Sequence, residues 1–220
     1  MFIGFYNYTV YLTYVGLASA IMGMMEACEG HYKFAILCLM ICGLCDMFDG
    51  TIARSNKKRS MEAKWFGMNI DSLCDLVCFG VFPAFLGYCL CPVNVATMLG
   101  MIFYVLAAVI RLAYFNVQEI TRDINEKREY YLGLPVTSSA LIMPATALIT
   151  TLNKTAFAYL YPIVLVLVGV LFILKFKLKK PYMRSLIALA FVGLCVFFLA
   201  FKYGGNIVCM KPVLENIANV

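Results

Sequence analysis

Charge is scarce in this chain. Only 14% of its 220 residues are Asp, Glu, Lys or Arg, whereas 63% are hydrophobic. The chain has one histidine, His31, which lies in a short polar stretch and to which we assign no catalytic role. So little charge is not typical of a soluble domain, and the sequence offers no soluble basic domain of the kind that binds nucleic acid. We therefore expect no nucleic-acid partner.

Long apolar runs fill most of the chain. About 20 apolar residues are enough to cross a hydrocarbon layer of ~30 Å. The runs are apolar on all faces rather than alternating, which favours helices over a β-barrel. Seven predicted spans cover residues 8–25, 32–52, 67–90, 95–116, 133–151, 157–176 and 184–201. The sequence thus predicts an all-α polytopic membrane helix bundle that forms a single domain over residues 1–220.

The first run resembles a signal peptide only in its position. It has neither a basic segment before it nor an A-x-A-like cleavage site, so we interpret it as a retained span. Most of the ten cysteines lie inside apolar runs, where a thiol acts as a small apolar side chain. Cys42 and Cys45 form a CxxC pair, but no second pair accompanies them, and we do not favour a metal or redox role.

Basic residues are concentrated in alternate loops. The segments "SNKKRSMEAKW", "EITRDINEKREYY" and "KFKLKKPYMR" follow predicted spans 2, 4 and 6, whereas the intervening loops carry little more than Lys33 and Lys154. Loops rich in Lys and Arg remain in the cytoplasm, which predicts a cytoplasmic N-terminus and leaves the course of the tail after Phe201 open. The same loops, in a chain of net charge +6, are expected to attract anionic membrane lipids.

Four aspartates interrupt this apolar pattern at the end of span 2 and the start of span 3. Asp46 and Asp49 are spaced i, i+3, and Asp71 and Asp75 are spaced i, i+4, so each pair lies on one helix face. Small residues accompany both pairs and allow close approach of a helix or a ligand. Two neighbouring helices would therefore each present a pair of carboxylates near the cytoplasmic surface.

Four facing carboxylates at the edge of a membrane need compensating positive charge. Oxygen ligands suit Mg²⁺ or Mn²⁺, and two such ions about 4 Å apart are a known clamp for phosphoryl chemistry. Arg54 lies beside the cluster, where a guanidinium can hold a phosphate. We predict a site for two divalent cations, Mg²⁺ or Mn²⁺. Asp46 or Arg54 taken singly could also be an ordinary solvated residue at a helix end.

The two halves of this pattern, "DMFDGTIAR" and "GMNIDSLCD", resemble the signature of the CDP-alcohol phosphotransferase family. Twelve residues, "SNKKRSMEAKWF", separate them, a longer loop than the family usually has. The resemblance implies an enzyme with a six-helix core, often a homodimer, so that one predicted span is additional. It also implies that the nucleotide and its diphosphate bind residues beside the carboxylates, which here are Gly50, Ala53, Arg54 and Gly67.

The resemblance further implies roles for the four carboxylates. Asp46, Asp49 and Asp71 would bind one metal ion, and Asp46, Asp71 and Asp75 would bind the second. Asp75 would also be the catalytic base that takes the proton from the acceptor alcohol.

Three further segments, "IDSLCDLVCFGVFPA", "RLAYFNV" and "YYLGLPVTSSA", resemble the branch of the family that makes phosphatidylserine. This implies CDP-diacylglycerol as donor and L-serine as acceptor, with CMP as the second product. Arg111 lies within a span, and its planar guanidinium can form a bidentate hydrogen bond with the carboxylate of serine. Alternatively, its side chain extends to the membrane interface. Neutral hydrogen bonds to serine are expected from Asn116, Thr137 and Ser138.

Two other functions remain open. Another member of the same family would use glycerol 3-phosphate or an inositol phosphate as acceptor, but a phosphorylated acceptor needs more basic residues in its pocket than Arg111 alone. A divalent-cation transporter would need acidic residues along a path through the membrane. Predicted spans 4 to 7 contain neither Asp nor Glu, which disfavours a transporter.

Overall fold

The computed structural model describes residues 4, 10–55, 60–121, 130–149, 160–179 and 183–207. Within these ranges the helices form seven rods, one for each predicted apolar span, and the all-α prediction is confirmed. The third rod is continuous through a π-helical turn, Leu76–Val81. The α-helices are α1 Tyr11–Cys28, α2 Tyr32–Ser55, α3 Met61–Asp75, α4 Phe82–Leu90, α5 Val95–Ile120, α6 Ser139–Ile149, α7 Leu160–Ile173 and α8 Met183–Tyr203.

Two of the rods are long and apolar enough to cross a membrane. They are the α3–α4 rod, Met61–Leu90, with 30 residues, and α5, Val95–Ile120, with 26. Large apolar side chains lie exposed on the outer faces of the bundle, among them Leu99 on α5 at 61% and Phe191 on α8 at 65%. Contact of such apolar faces with hydrocarbon is favourable, whereas their contact with water is unfavourable. Length, composition and exposure together describe a membrane helix bundle.

Small residues bring α1 close to α2. The buried face of α1 consists of Thr13, Gly16, Ala20, Gly23 and Ala27. A Cβ added at Gly16 would lie 3.3 Å from the Cβ of Cys45, and one added at Gly23 would lie 2.8 Å from the Cβ of Cys38. The two antiparallel helices therefore approach each other through a face that tolerates no larger side chain.

The π-helical turn directly follows Asp75 and has a cause in the sequence. Pro83 lacks an N–H, so the carbonyl of Phe79, four residues earlier, has no helical donor at that position. The hydroxyls of Tyr104 on α5 and Ser139 on α6 donate to this carbonyl at 2.6 Å and 3.2 Å. The third rod is thereby fastened to α5 and α6 one turn beyond Asp75, and π-turns are frequent at functional sites.

We expect Tyr104→Phe to destabilise the protein by about 1 kcal/mol, because a fully buried carbonyl loses one of its two donors. Thermal unfolding in detergent would measure this. Tyr11→Phe is the matched control, since the Tyr11 side chain is 58% exposed. Equal unfolding temperatures for the Tyr104 variant and the wild type would contradict the assigned role of the hydroxyl.

A short sheet, which the sequence analysis did not predict, joins two of the connections. Strand β1, Tyr130–Leu132, pairs antiparallel with β2, Lys177–Lys179. Gly133 follows β1 with a φ of +75°, a conformation that favours glycine, and its N–H donates to the carbonyl of Phe176 at 2.8 Å. The sheet fixes the chain that leads into α6, including Leu134, against the end of α7.

Candidate active site

Three of the four motif aspartates meet between α2 and α3. Asp46, Asp49 and Asp71 each offer a carboxylate oxygen, and these oxygens lie within 4.8 Å of one another. Asp49 is buried, and the other two are partly buried. Helix α3 begins at Met61 because the Ser60 hydroxyl accepts a hydrogen bond from the Ala63 N–H at 3.2 Å, a typical N-cap. The sequence predicts four facing carboxylates, and three of them meet in this group.

Asp75 lies outside this close group but lines a pocket with two of its members. It lines, with Asp46 and Asp49, a small pocket of about 190 Å³, a volume that includes the open mouth. Four cysteines form much of the remaining wall: Cys42, Cys45, Cys74 and Cys78. They are buried, as their apolar surroundings predicted, but no pattern in the sequence indicated that they border the carboxylates. Among the described residues, no cysteine belongs to a group of possible metal ligands.

The chemistry of the cluster fits divalent cations. Carboxylate oxygens are the ligands that Mg²⁺ and Mn²⁺ prefer, and three of them within 4.8 Å match the set predicted for the first ion. Carboxylates so close together repel one another unless a cation or a proton compensates them. Asp46, Asp49 and Asp71 are thus suited to hold one ion, and Asp75 lines a pocket beside Asp46 and Asp49.

Helix α1 supplies a residue of the site that the sequence analysis missed. The Thr13 hydroxyl donates to Oδ2 of Asp49 at 3.1 Å, and both residues are buried. Thr13 and Gly16 also line the aspartate pocket. The only sequence signal was the spacing of small residues along α1, which predicts close helix packing rather than a contact with a carboxylate.

The residues predicted to bind the nucleotide are described only in part. Gly50, Ala53 and Arg54 continue α2 beyond Asp49, but their side-chain surroundings lie outside the described part of the structure. Gly67 is partly buried on α3, one turn before Asp71. Their roles remain predictions, as does any contact from residues 56–59, which lie outside the described ranges.

Arg111 is buried inside the helix bundle. Its side chain is 6% exposed, and its Nε–H donates to the carbonyl of Leu134 at 3.1 Å. This burial favours the interpretation in which Arg111 lines a pocket over the one in which its side chain extends to the interface. The hydrogen bond ties α5 to the segment that carries Thr137 and Ser138, since Leu134 directly precedes that segment.

Two of the other residues predicted to bind serine, Asn116 and Ser138, have hydrogen-bond partners within the chain. Oδ1 of Asn116 accepts from the Ser72 hydroxyl at 2.8 Å, which links α5 to the residue after Asp71. The Ser138 hydroxyl donates to the carbonyl of Pro135 at 2.6 Å. Thr137 is partly buried in a 3₁₀ turn, Val136–Ser138. Asn116 is thus linked to the residue that follows Asp71, whereas the Ser138 hydroxyl donates to its own turn and can still accept a hydrogen bond.

A family comparison identifies the class of protein. The profile of the CDP-alcohol phosphatidyltransferase family matches residues 6–175, which include all four aspartates and six of the seven described rods. The chain therefore belongs to this family. The match ends before α8, in agreement with a six-helix core and one additional span. Membership of a family of transferases sets aside the cation-transporter interpretation.

Individual relatives make the likeness more specific. CDP-diacylglycerol–serine O-phosphatidyltransferase of Methanocaldococcus jannaschii is 26% identical over 205 residues, which cover 93% of this chain and 90% of the relative. The enzyme of that name from Saccharomyces cerevisiae is 34% identical over 118 residues, or 51% of this chain and 41% of the relative. An archaetidylserine synthase of Methanothermobacter thermautotrophicus is 28% identical over 134 residues, 59% of this chain and 53% of the relative. The aligned segment thus spans about half or less of the length of two of these relatives.

Proposed function

We propose that this protein transfers the phosphatidyl group of CDP-diacylglycerol to the hydroxyl of L-serine, giving phosphatidylserine and CMP. The observation that carries the proposal is the cluster of Asp46, Asp49 and Asp71, whose oxygens lie within 4.8 Å of one another. Asp75 lines a pocket together with two members of this cluster, Asp46 and Asp49. Relatives named for serine as acceptor support this choice of alcohol. The acyl chains would remain in the bilayer while the CDP head lies at the cytoplasmic ends of predicted spans 2 and 3.

The carboxylates would hold two divalent cations, Mg²⁺ or Mn²⁺. Asp46, Asp49 and Asp71 form the proposed site of the first, and Asp46, Asp71 and Asp75 that of the second. When bound, the ions neutralise the diphosphate and polarise the phosphorus that carries the diacylglycerol. Arg54 would hold a diphosphate oxygen, and Gly50, Ala53 and Gly67 would leave room for the nucleotide.

Asp75 is the proposed general base. It would take the proton of the serine hydroxyl as the serine oxygen forms a bond to the phosphorus next to the diacylglycerol. The bond between that phosphorus and the oxygen of CMP then breaks, and CMP leaves with the electron pair. Positioning and electrostatics account for most of the catalysis in such transfers, because the protein itself forms no covalent bond.

The basic loops supply the proposed orientation. Lys-rich and Arg-rich segments follow α2, α5 and α7 in the sequence. By the positive-inside rule, the ends of these three helices would face the cytoplasm, together with the N-terminus and the aspartate pocket. Water-soluble serine and CMP would then enter and leave on the cytoplasmic side. A homodimer, the common state of the family, is part of the proposal.

Arg111 is the proposed ligand of the serine carboxylate. Its guanidinium is buried and is held next to the segment before α6 by the bond to Leu134. Asn116 on α5 and Thr137 and Ser138 in the turn before α6 would contribute neutral hydrogen bonds to the ammonium or the carboxylate of serine.

We expect Arg111→Lys to raise the KM for serine by about 10-fold or more, because a lysine ammonium cannot form the bidentate hydrogen bond that a guanidinium forms with a carboxylate. The KM for CDP-diacylglycerol should change little, since the diphosphate is assigned to the aspartate site and Arg54. Steady-state kinetics on monodisperse protein would measure both constants. Equal damage to both would place Arg111 in the nucleotide site or in the fold, and an unchanged KM for serine would remove it from the acceptor site.

The choice of acceptor can be tested directly. Purified protein is incubated with CDP-diacylglycerol, Mn²⁺ and one of three alcohols: L-serine, glycerol 3-phosphate or an inositol phosphate. Mass spectrometry then identifies the lipid product. We expect phosphatidylserine from serine and no product from the two phosphorylated alcohols. A product from a phosphorylated alcohol alone would overturn the serine assignment and retain the family chemistry.

A further inference from the structure

Helix α1 reaches the aspartate site through one hydroxyl. Oγ1 of Thr13 donates to Oδ2 of Asp49 at 3.1 Å, across 36 positions of sequence. Only 6% of Thr13 and 5% of Asp49 are exposed, so water competes little for this hydrogen bond. Thr13 lies outside the aspartate motif, and the proposed reaction gives it no role.

The packing of α1 on α2 holds this hydroxyl in place. One turn along α1, the carbonyl of Gly16 accepts a hydrogen bond from the Cys42 thiol at 3.2 Å. The absence of a side chain at Gly16 lets α1 approach Cys45, one turn before Asp49 on α2. Thr13 is also β-branched, and such side chains have few rotamers in a helix. The hydroxyl is therefore presented to Asp49 from a backbone that is itself fixed.

We propose that Thr13 is a positioning residue for the metal site, and that its hydroxyl orients the Asp49 carboxylate for binding a divalent cation. The inference rests on the proposed function, because it requires Asp49 to be a metal ligand. A hydroxyl bound to Oδ2 restricts the rotation of the carboxylate. One oxygen of this carboxylate lies within 4.8 Å of oxygens of Asp46 and Asp71, so a fixed carboxylate keeps the three ligands together. Groups that hydrogen-bond to ligating side chains typically change metal affinity by about 10- to 100-fold when they are removed.

The test measures Mn²⁺ binding without turnover. The free Mn²⁺ signal in electron paramagnetic resonance gives the Kd for protein in detergent, and the rise of the unfolding temperature with Mn²⁺ gives a second readout. Thr13→Val removes the hydroxyl and retains the shape. Thr13→Ser retains the hydroxyl. Thr146→Val is the matched control, because Thr146 is also buried but its hydroxyl donates to the carbonyl of Ile142 on its own helix, at 2.8 Å.

We expect Thr13→Val to raise the Kd for Mn²⁺ by about 10- to 100-fold, and Thr13→Ser and Thr146→Val to remain near the wild-type value. If Thr13→Val does not fold, the comparison of Thr13→Ser with Thr13→Ala isolates the same hydroxyl. A wild-type Kd in Thr13→Val, or in Thr13→Ala where that variant replaces it, would overturn the positioning role.

Asp71→Asn separates this inference from the proposed function. Weaker Mn²⁺ binding in Asp71→Asn with unchanged binding in the Thr13 variants would overturn the role of Thr13 alone. Unchanged binding in Asp71→Asn as well would overturn the proposed metal site, and the role of Thr13 with it.

Discussion

Asp75→Asn is expected to lower kcat by about 10²- to 10⁴-fold, the range typical of a general base. Asparagine has nearly the same size as aspartate, but it cannot accept the serine proton. Because Asp75 lines the pocket beside Asp46 and Asp49, its amide would still contact the bound substrate. Binding of CDP-diacylglycerol, measured by calorimetry in detergent, should therefore survive in part while turnover is lost.

The variant must be distinguished from one that has only lost metal. Turnover is measured at increasing Mn²⁺ until it no longer changes, so that a weakened metal site is refilled. Glu29→Gln serves as the control for a carboxylate replaced by an amide, since Glu29 lies in the exposed turn after α1, away from the pocket. A kcat near that of the wild type at saturating Mn²⁺ would show that another group is the base.

Removal of metal is expected to abolish turnover. Stabilisation of transferring phosphoryl groups by bound cations is worth several kcal/mol, and each ~1.4 kcal/mol corresponds to a tenfold change in rate. We therefore expect EDTA to lower the rate by more than about 10³-fold, and Mg²⁺ or Mn²⁺ in excess of the chelator to restore it. EDTA saturated with Mg²⁺ beforehand is the control for direct effects of the chelator. Full turnover after exhaustive chelation would contradict the two-metal proposal.

The seven rods were predictable because their signal is local. An apolar run of about 20 residues forms a helix in lipid because a helix satisfies every backbone hydrogen-bonding group within the run itself. The helical spacing of Asp46 and Asp49 was equally local. The approach of their oxygens to within 4.8 Å of those of Asp71 had no local signal, because it depends on how α2 and α3 pack. Resemblance to a known family supplied what spacing alone could not.

The features that the sequence did not predict all depend on contacts between segments that are distant in the sequence. Thr13 is one of several small residues on α1, and only the packing of α1 against α2 brings it to Asp49. The strands β1 and β2 have three residues each, too few for an alternating pattern. The π-turn after Asp75 did have a local signal, Pro83, but its consequence for Phe79 depends on donors from α5 and α6.

The central claim is that the serine hydroxyl attacks the phosphorus of CDP-diacylglycerol at the aspartate site. L-Serine labelled with oxygen-18 in its hydroxyl group tests this most directly, with mass spectrometry of the lipid product and of CMP. We predict phosphatidylserine that retains the label and CMP that does not, formed by the wild type and lost in Asp71→Asn. Label in CMP, unlabelled phosphatidylserine, or equal product formation by Asp71→Asn would contradict the account.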